Sequence, residues 1–475
     1  MKLIENLKLI HKANKELDRL ERFVSSSYHN KGQQILPALL NELLKSYPYY
    51  NIDEKRIYKE ITNRTTFSIA SWRSYCSQLN GLIEQFLIQE QLQENTFFQQ
   101  QLLAKAYIKK SSFSNFLKAQ ANTEKKIKEG SSISANQLAR LGLETVFHIE
   151  NKNLEDDALL KDTLLNVERA SILEQLKLNA ELLSRTQILA NNENSKLNLL
   201  LKQAYIEDYF QFLPIEIYVK ILEFSIQNDT PKYTETVDLF VKNIHLFSKT
   251  EQLQLFSLIQ NFNIRQINSG QKREKEMNDF YLKGIQLSIF QEGRGISEIT
   301  FLNIANNFSI LHEFDKHEEF VSKFTKSLPK ENKEIVLALV KVNFYFYQFE
   351  KTKSSHFLGD IQVIASKIDS ISGKLMYNLH LRMSLCKTYY ELLLIDNSIL
   401  QLIESEIIAF KNFIKRKKIS PEKIALYANF FIILSELIKI TYKPNANEKA
   451  RLRERCYTLS PLGNRAYLLR KIESL

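Results

Sequence analysis

Two histidines set close together among acidic side chains are the strongest chemical signal in this sequence. They stand in HEFDKHEEF, residues 312–320, and His-Glu opens the signature of the zinc metalloproteases. That signature works because its histidines are four residues apart, one helical turn above each other on one face. Here His312 and His317 are five apart. At about 100° per residue they diverge by roughly 140°, so one helix cannot aim both at one ion. The other histidines, at 11, 29, 148, 245, 356 and 380, are scattered singly. Cys76, Cys386 and Cys456 are odd in number, far apart and without a CxxC pair. They read as buried reduced thiols, not as a disulfide framework or a zinc site. A glycine-rich phosphate loop, a dinucleotide fingerprint and a nucleophile elbow are all missing. The expectation is a protein that is not an enzyme and uses no metal and no cofactor.

Charge offers a second chemistry. Lys and Arg number 65 against 54 Asp and Glu, a net charge of +11 with a pI near 9.1. Such an excess permits contact with nucleic acid or an anionic surface, because cationic side chains release phosphate counterions on binding. The candidate phosphate-contacting residues are Arg73, Lys415, Arg416, Lys417, Lys418 and Arg453. KRKK (415–418) falls in a break between helices and KARLRER (449–455) lies near the C-terminus. Neither run has interleaved aromatics for base stacking, so contact would be to phosphates and not sequence-specific. The plain alternative is a solvated charged surface.

The elements that must carry these residues are helices. Only 11 glycines and 8 prolines occur among 475 residues, too few for the turns of a large sheet fold, and Leu, Ile, Lys, Glu, Gln and Asn abound. The fold class expected is all-α. An N-terminal helical domain is read over 1–125, with a three-helix core at about 33–90. ILPALLNELL places Leu36, Leu39, Leu40, Leu43 and Leu44 on one stripe, with Pro37 in the first turn. Asp53 is the expected N-cap of a second helix. Ile69, Trp72, Cys76, Leu79, Ile83 and Phe86 line one side of a third, where Trp72 is read as a core anchor. Three helices of this kind also describe a helix-turn-helix, whose exposed face would be Arg73, Ser74, Ser77, Gln78 and Asn80. Residues 120–137, with a mixed charge run and then Gly-Ser-Ser, look like a linker or an interhelix loop.

From 135 to 475 amphipathic helices alternate with short breaks. Ser248 and Glu251 form a capping box, and Ser420-Pro421-Glu422 is a further start signal. FLNIANNFSILHEFDKHEEFVSKFTKSLP (301–329) reads as a helix, a polar turn containing Glu313 and Phe314, and a second helix closed by a proline. Phe314 is echoed by Phe349 about 35 residues later, a spacing that suggests tetratricopeptide-like helix pairs. In that frame both histidines flank a turn. The longest apolar run, 427–440, is too short to span a bilayer, and the N-terminus lacks a signal-like apolar core. A cytoplasmic protein is expected.

Residues 17–48, 261–270 and 312–329 carry a resemblance. The chain resembles a family of uncharacterised all-helical bacterial proteins with degenerate tetratricopeptide-like C-terminal halves. The resemblance implies an α-solenoid and brings no catalytic residues with it. The turn glycine usual in such repeats is replaced around His312 and around Tyr347-Gln348. The function expected is a non-catalytic scaffold that binds a protein or peptide on a solenoid surface. Candidate partner-binding residues are Asn303, Asn306, Asn307, Lys341, Asn343 and Tyr345, since asparagine grips a peptide backbone through both amide atoms. The aromatic run FYFYQF (344–349) is too dense for one buried stripe, so part of it is expected to be exposed or to cover a neighbour.

Overall fold

The computed structural model describes residues 2–10, 15–50, 52–148, 157–189, 206–227, 231–268, 271–290, 296–368, 375–416, 421–443 and 445–475. Among the described residues there are 23 α-helices and no strand. The chain divides into two compact units, Met1–Ile127 with Phe147–Glu150, and Lys128–Val146 with Asn151–Leu475.

The first unit contains α1 (Lys2–Lys8), α2 (Glu16–Ser25), α3 (Ser27–Asn30), α4 (Ile35–Leu44), α5 (Glu54–Thr62), α6 (Ile69–Glu94), α7 (Thr96–Lys109) and α8 (Phe113–Glu124). Asp53 caps α5 by accepting from the Lys55 and Arg56 amides at 3.1 Å each. Ser68 caps α6 through the Ser71 amide. Trp72, Cys76, Leu79, Ile83 and Phe86 are buried along α6, but Ile69 is 54% exposed. It is the first residue of the helix and borders a groove that leaves it uncovered. The core is larger than three helices. Leu3 and Leu7 of α1 and Leu17, Leu20 and Val24 of α2 are buried with α4 and α6, so both early helices pack on α6. Asn6 donates to Asn80 at 2.9 Å and Lys2 meets Glu84 at 2.7 Å. Part of the face a recognition helix would present is therefore occupied by α1, while Arg73, Ser74, Ser77 and Gln78 remain exposed.

The second unit opens with Ser131, Ser132 and Ser134, all buried. Of the two readings of 120–137, linker or interhelix loop, residues 125–133 form an ordered interhelix loop, and the division between the units falls within it. The Ser132 amide donates to the Leu246 carbonyl at 2.7 Å, and its hydroxyl donates to Glu251 at 2.6 Å. Glu251 also accepts the Ser248 amide at 3.0 Å, closing the capping box, and pairs with Lys177 at 3.1 Å.

Helices α9 (Ser134–His148), α10 (Ala158–Leu189), α11 (Leu213–Gln227), α12 (Pro231–Lys242), α13 (Lys249–Asn268) and α14 (Glu274–Gln286) follow. Ile215, Ile217, Tyr218, Ile221, Leu222 and Phe224 are each fully buried, so α11 is apolar on nearly all sides and lies inside the unit. Gly284 lets α14 approach α13 closely, since a Cβ there would lie 2.6 Å from the Phe256 ring.

The remaining helices come mostly in pairs. They are α15 (Glu298–Ile310) with α16 (Phe314–Phe324), α17 (Lys333–Thr352) with α18 (His356–Ile368), and α19 (Leu375–Leu393) with α20 (Leu400–Arg416). Then come α21 (Pro421–Tyr442), α22 (Ala446–Thr458) and α23 (Arg465–Ser474). The first helices α15, α17, α19 and α21 pack each on the next, and each second helix packs on its own first helix. Their starts at Glu298, Lys333, Leu375 and Pro421 do not keep a period near 34. Phe314 opens a second helix whereas Phe349 lies near the end of a first helix, so the echo between them joins unlike positions.

The turn at 311–312 leaves Glu313 as the N-cap and Phe314 as the first helical residue. Over Ile424–Tyr442 the mean hydropathy is 1.6, so α21 is long and apolar enough to cross a membrane, contrary to the shorter run read from the sequence. In the fold Tyr427, Phe430, Phe431, Leu434 and Leu437 of α21 are core residues.

Candidate functional site

The two histidines of the opening motif do separate structural work. His317 is 4% exposed, and its Nδ1 lies 2.9 Å from the Ala305 carbonyl and 2.9 Å from the Ser309 hydroxyl. A carbonyl only accepts, so Nδ1 carries the proton and donates. The ring stacks on Phe344 at 4.4 Å, and burial pushes its pKa down, opposed by the Ala305 hydrogen bond. His312 sits at the turn with φ 58° and touches Phe314 and Tyr347 edge-on. Among the described residues no three His, Cys, Asp or Glu side chains gather as metal ligands.

The asparagines are brought together, but mainly with one another. Asn343 donates to Asn306 at 3.1 Å and accepts from Ser384 at 3.0 Å, a polar chain across α15, α17 and α19. Asn307 is 1% exposed and donates to the Glu274 carbonyl and to Asn278. A parallel tie links the N-terminal ends: Glu298 accepts from Asn332 at 3.0 Å and from the Tyr377 hydroxyl at 2.5 Å. Half-buried amides joined in this way hold helices in register.

Lys341 and Tyr345 belong elsewhere. Asn343 is two positions on from Lys341, so their side chains leave α17 about 160° apart. Lys341 is exposed, and Tyr345 stacks on Phe357 of α18 at 6.1 Å. The six candidates therefore do not line one surface. Ile299, Asn303, Asn306 and Ile310, at i, i+4, i+7 and i+11, do share the outer stripe of α15. Ile299 is 62% exposed and Ile310 37%.

None of FYFYQF is exposed. Phe344, Phe346 and Phe349 are buried and the tyrosines half-buried. Phe346 meets Tyr467 edge-on at 5.7 Å, and Phe344 meets Phe314 at 5.4 Å.

Of the basic candidates, the described side chains are Arg73 in the first unit and Arg453 in the second. Arg453 faces Glu473 at 3.4 Å and lies over Tyr457 at 5.9 Å. Lys417 and Lys418, and the side chains of Lys415 and Arg416, lie outside the described residues. Arg73 lines a groove of about 420 Å³ in the first unit with Lys2, Glu54, Trp72 and Asn80. Cys76 is on its floor, where burial pushes the thiol pKa up to about 12. A thiol held protonated in this way is a poor nucleophile.

A buried cluster around Lys387 has no counterpart in the sequence reading. Lys387 is 2% exposed. Its ammonium lies 4.2 Å from the Phe346 ring centre, 5.3 Å from Tyr347 and 5.6 Å from Tyr467. Glu391, one turn on, takes hydrogen bonds from Tyr467 at 2.9 Å and Lys471 at 2.7 Å, and Arg470 donates to Glu350 at 2.8 Å. Burial pulls the Lys387 pKa down to about 8; Glu350 and Glu391 oppose it and Arg470 adds to it. Such an amine has the basicity of a nucleophile. The aromatic rings close over it, however, so no reactant reaches it in this conformation. The signal available beforehand was a Lys–Glu pair at i, i+4 inside the apolar run LCKTYYELLL.

Compared with known proteins, the chain matches no family model, no curated protein and no solved structure.

Proposed function

We propose that this chain is a non-catalytic helical scaffold that holds a protein partner, with the outer stripe of α15 as its docking face. The supporting observation is the row of first helices tied by the Asn306–Asn343–Ser384 chain. Helices fixed in register form a surface stiff enough to receive a partner helix or peptide without a large ordering cost. The stripe places Ile299 and Ile310 at its two ends with Asn303 between them, which suits a helical partner with an apolar face and a few backbone or side-chain hydrogen bonds. The tetratricopeptide-like solenoid remains part of this proposal, resting on the helix–turn–helix order of α15 to α20.

The test is capture of partners from the native cell by the full chain, with and without nuclease, beside the double variant Ile299→Asp/Asn303→Asp. A stoichiometric protein that survives nuclease and is lost from the variant supports the scaffold. Recovery of nucleic acid, with proteins lost after nuclease, overturns it in favour of the basic residues. Retention of the same partner by the variant removes the α15 stripe from the reading.

A further inference from the structure

The α7–α8 hairpin is built inside out. Between its two helices the buried apolar residues are only Ala104, Phe116 and Ala119, with Tyr107 and Ile108 half-buried around them. Gln101, Gln120 and Thr123 share that interior, and neither amide atom of Gln120 has a hydrogen-bond partner. The larger apolar side chains point outward instead: Phe98, Leu102, Leu103, Phe113 and Leu117 are 37–52% exposed. Of the 30 phenylalanines in the chain, all described, the only exposed ones are Phe98, Phe113 and Phe147. Phe147, 79% exposed, adjoins His148, whose ring lies 5.7 Å from Phe116 of the hairpin. A water-soluble helix pair places its aromatics between the helices. This one reverses the order, so its outer face is made for an apolar medium.

Charge indicates which medium. Residues 96–126 hold six lysines and one glutamate. On α7, Phe98, Leu102, Lys105 and Lys109 fall at i, i+4, i+7 and i+11, one stripe in which apolar rings give way to lysines. Phe113 and Leu117 open α8 at i, i+4, and Lys118 follows. Lysines long enough to lie along a surface while Phe and Leu enter it are the composition of helices that rest on anionic lipid. We propose that the α7–α8 hairpin is a peripheral docking surface for an anionic lipid bilayer, entered by Phe98, Leu102, Phe113, Leu117 and Phe147 and held electrostatically by Lys105, Lys109, Lys110 and Lys118. It is separate from the α15 stripe and gives the scaffold a place at a membrane surface.

The experiment is flotation of the full chain with vesicles of phosphatidylcholine alone and of phosphatidylcholine with about 30% phosphatidylserine. The expected result is partition onto the anionic vesicles at least about tenfold stronger than onto the neutral ones, weakening as salt screens the lysines. The variant F98S/L102S/F113S/F147S is expected to lose at least about tenfold in partition to the anionic vesicles. Phe98 and Phe113 keep part of their area covered, Phe113 against Phe116, so circular dichroism checks that the variant retains the helix content of the parent. K109Q/K110Q/K118Q is expected to lose the preference for phosphatidylserine. Absence of partition, equal partition onto the two vesicles, or a serine variant that floats like the parent overturns the proposal. So does a dimer in vesicle-free sedimentation that the serine variant dissolves, because a second copy would then be the occupant.

Discussion

Replacing Lys387 by methionine is expected to stabilise the second unit at neutral pH, and the gain is expected to fade in alkali. The lysine reaches its buried position charged, and burial lowers its pKa from 10.5 to about 8. At about 1.4 kcal/mol per pKa unit, that drop corresponds to a penalty of roughly 3 kcal/mol on folding with the proton attached. Attraction to the three rings offsets up to about 2 kcal/mol. Methionine keeps the length of the side chain and removes both effects, leaving a net gain of about 1–3 kcal/mol.

The pH window follows from the direction of the shift. Below about pH 8 both folded and unfolded chains hold the proton, and the penalty is complete. Between about 8 and 10.5 the unfolded chain keeps a proton that the folded chain has released, so the stability of the parent rises with pH. The advantage of Lys387→Met therefore shrinks through that window. Glu350, Glu391, Arg470, Lys471, Tyr347 and Tyr467 surround the site in both proteins, so their titration largely cancels in the difference. Urea unfolding followed by far-ultraviolet circular dichroism, from pH 6.5 to 9.5, is the assay. Tryptophan fluorescence would miss the event, since the single tryptophan, Trp72, belongs to the first unit. A methionine variant less stable than the parent at pH 7, or a difference that does not change with pH, would refute the reasoning.

Glu251→Gln is expected to cost about 1–3 kcal/mol at pH 7, because the Lys177 pair and the charge-assisted bonds from Ser132 and Ser248 are lost together. Burial pushes the Glu251 carboxyl up, but those bonds outweigh it and hold the pKa below 4.5. Its contribution is thus present above about pH 4.5 and lost as pH falls through the lower folded value, so urea midpoints of parent and variant should converge in acid. Gly284→Ala is expected to destabilise by about 1–3 kcal/mol, as the new Cβ meets the Phe256 ring at 2.6 Å and Phe290 at 3.2 Å. Gly81→Ala, in the interior of α6 with nothing within 4 Å, is expected to stabilise by about 0.5–1 kcal/mol, and thermal melts of the two alanine variants would show the opposite signs.

Much of the helical framework was legible in advance because its signals are local. The Asp53 cap, the Ser248–Glu251 box and the stripe from Trp72 to Phe86 each depend on residues within a few turns. What failed was non-local. Nothing near Ser132 announces that its hydroxyl meets Glu251 more than a hundred residues away, so the Gly-Ser-Ser stretch reads equally as a linker or an interhelix loop. The three-helix core read at about 33–90 omits α1 and α2, whose Leu3, Leu7, Leu17 and Leu20 are part of the first core. The density of FYFYQF was read correctly as too great for one stripe. Only the packing shows that Phe344, Tyr345 and Phe346 meet rings on neighbouring helices.

The candidate sites show why side-chain type alone is a poor guide to surface chemistry. An asparagine on a helix is equally able to grip a ligand backbone or a second asparagine, and the choice is made by what lies across from it. Asn306 and Asn343 met each other because α15 and α17 pack side by side, which turned expected binding groups into internal ties. The reverse holds at α7–α8. There a Phe and Leu pattern that would ordinarily mark a core is left outside, because the short residues Ala104 and Ala119 bring the two backbones together and leave no room between them for more than Phe116. A lysine buried in aromatics at 387 and phenylalanines facing outward at 98, 113 and 147 are both departures from the usual burial order. The first has a measurable electrostatic cost inside the fold, and the second has a cost in water that an apolar surface outside the fold would relieve.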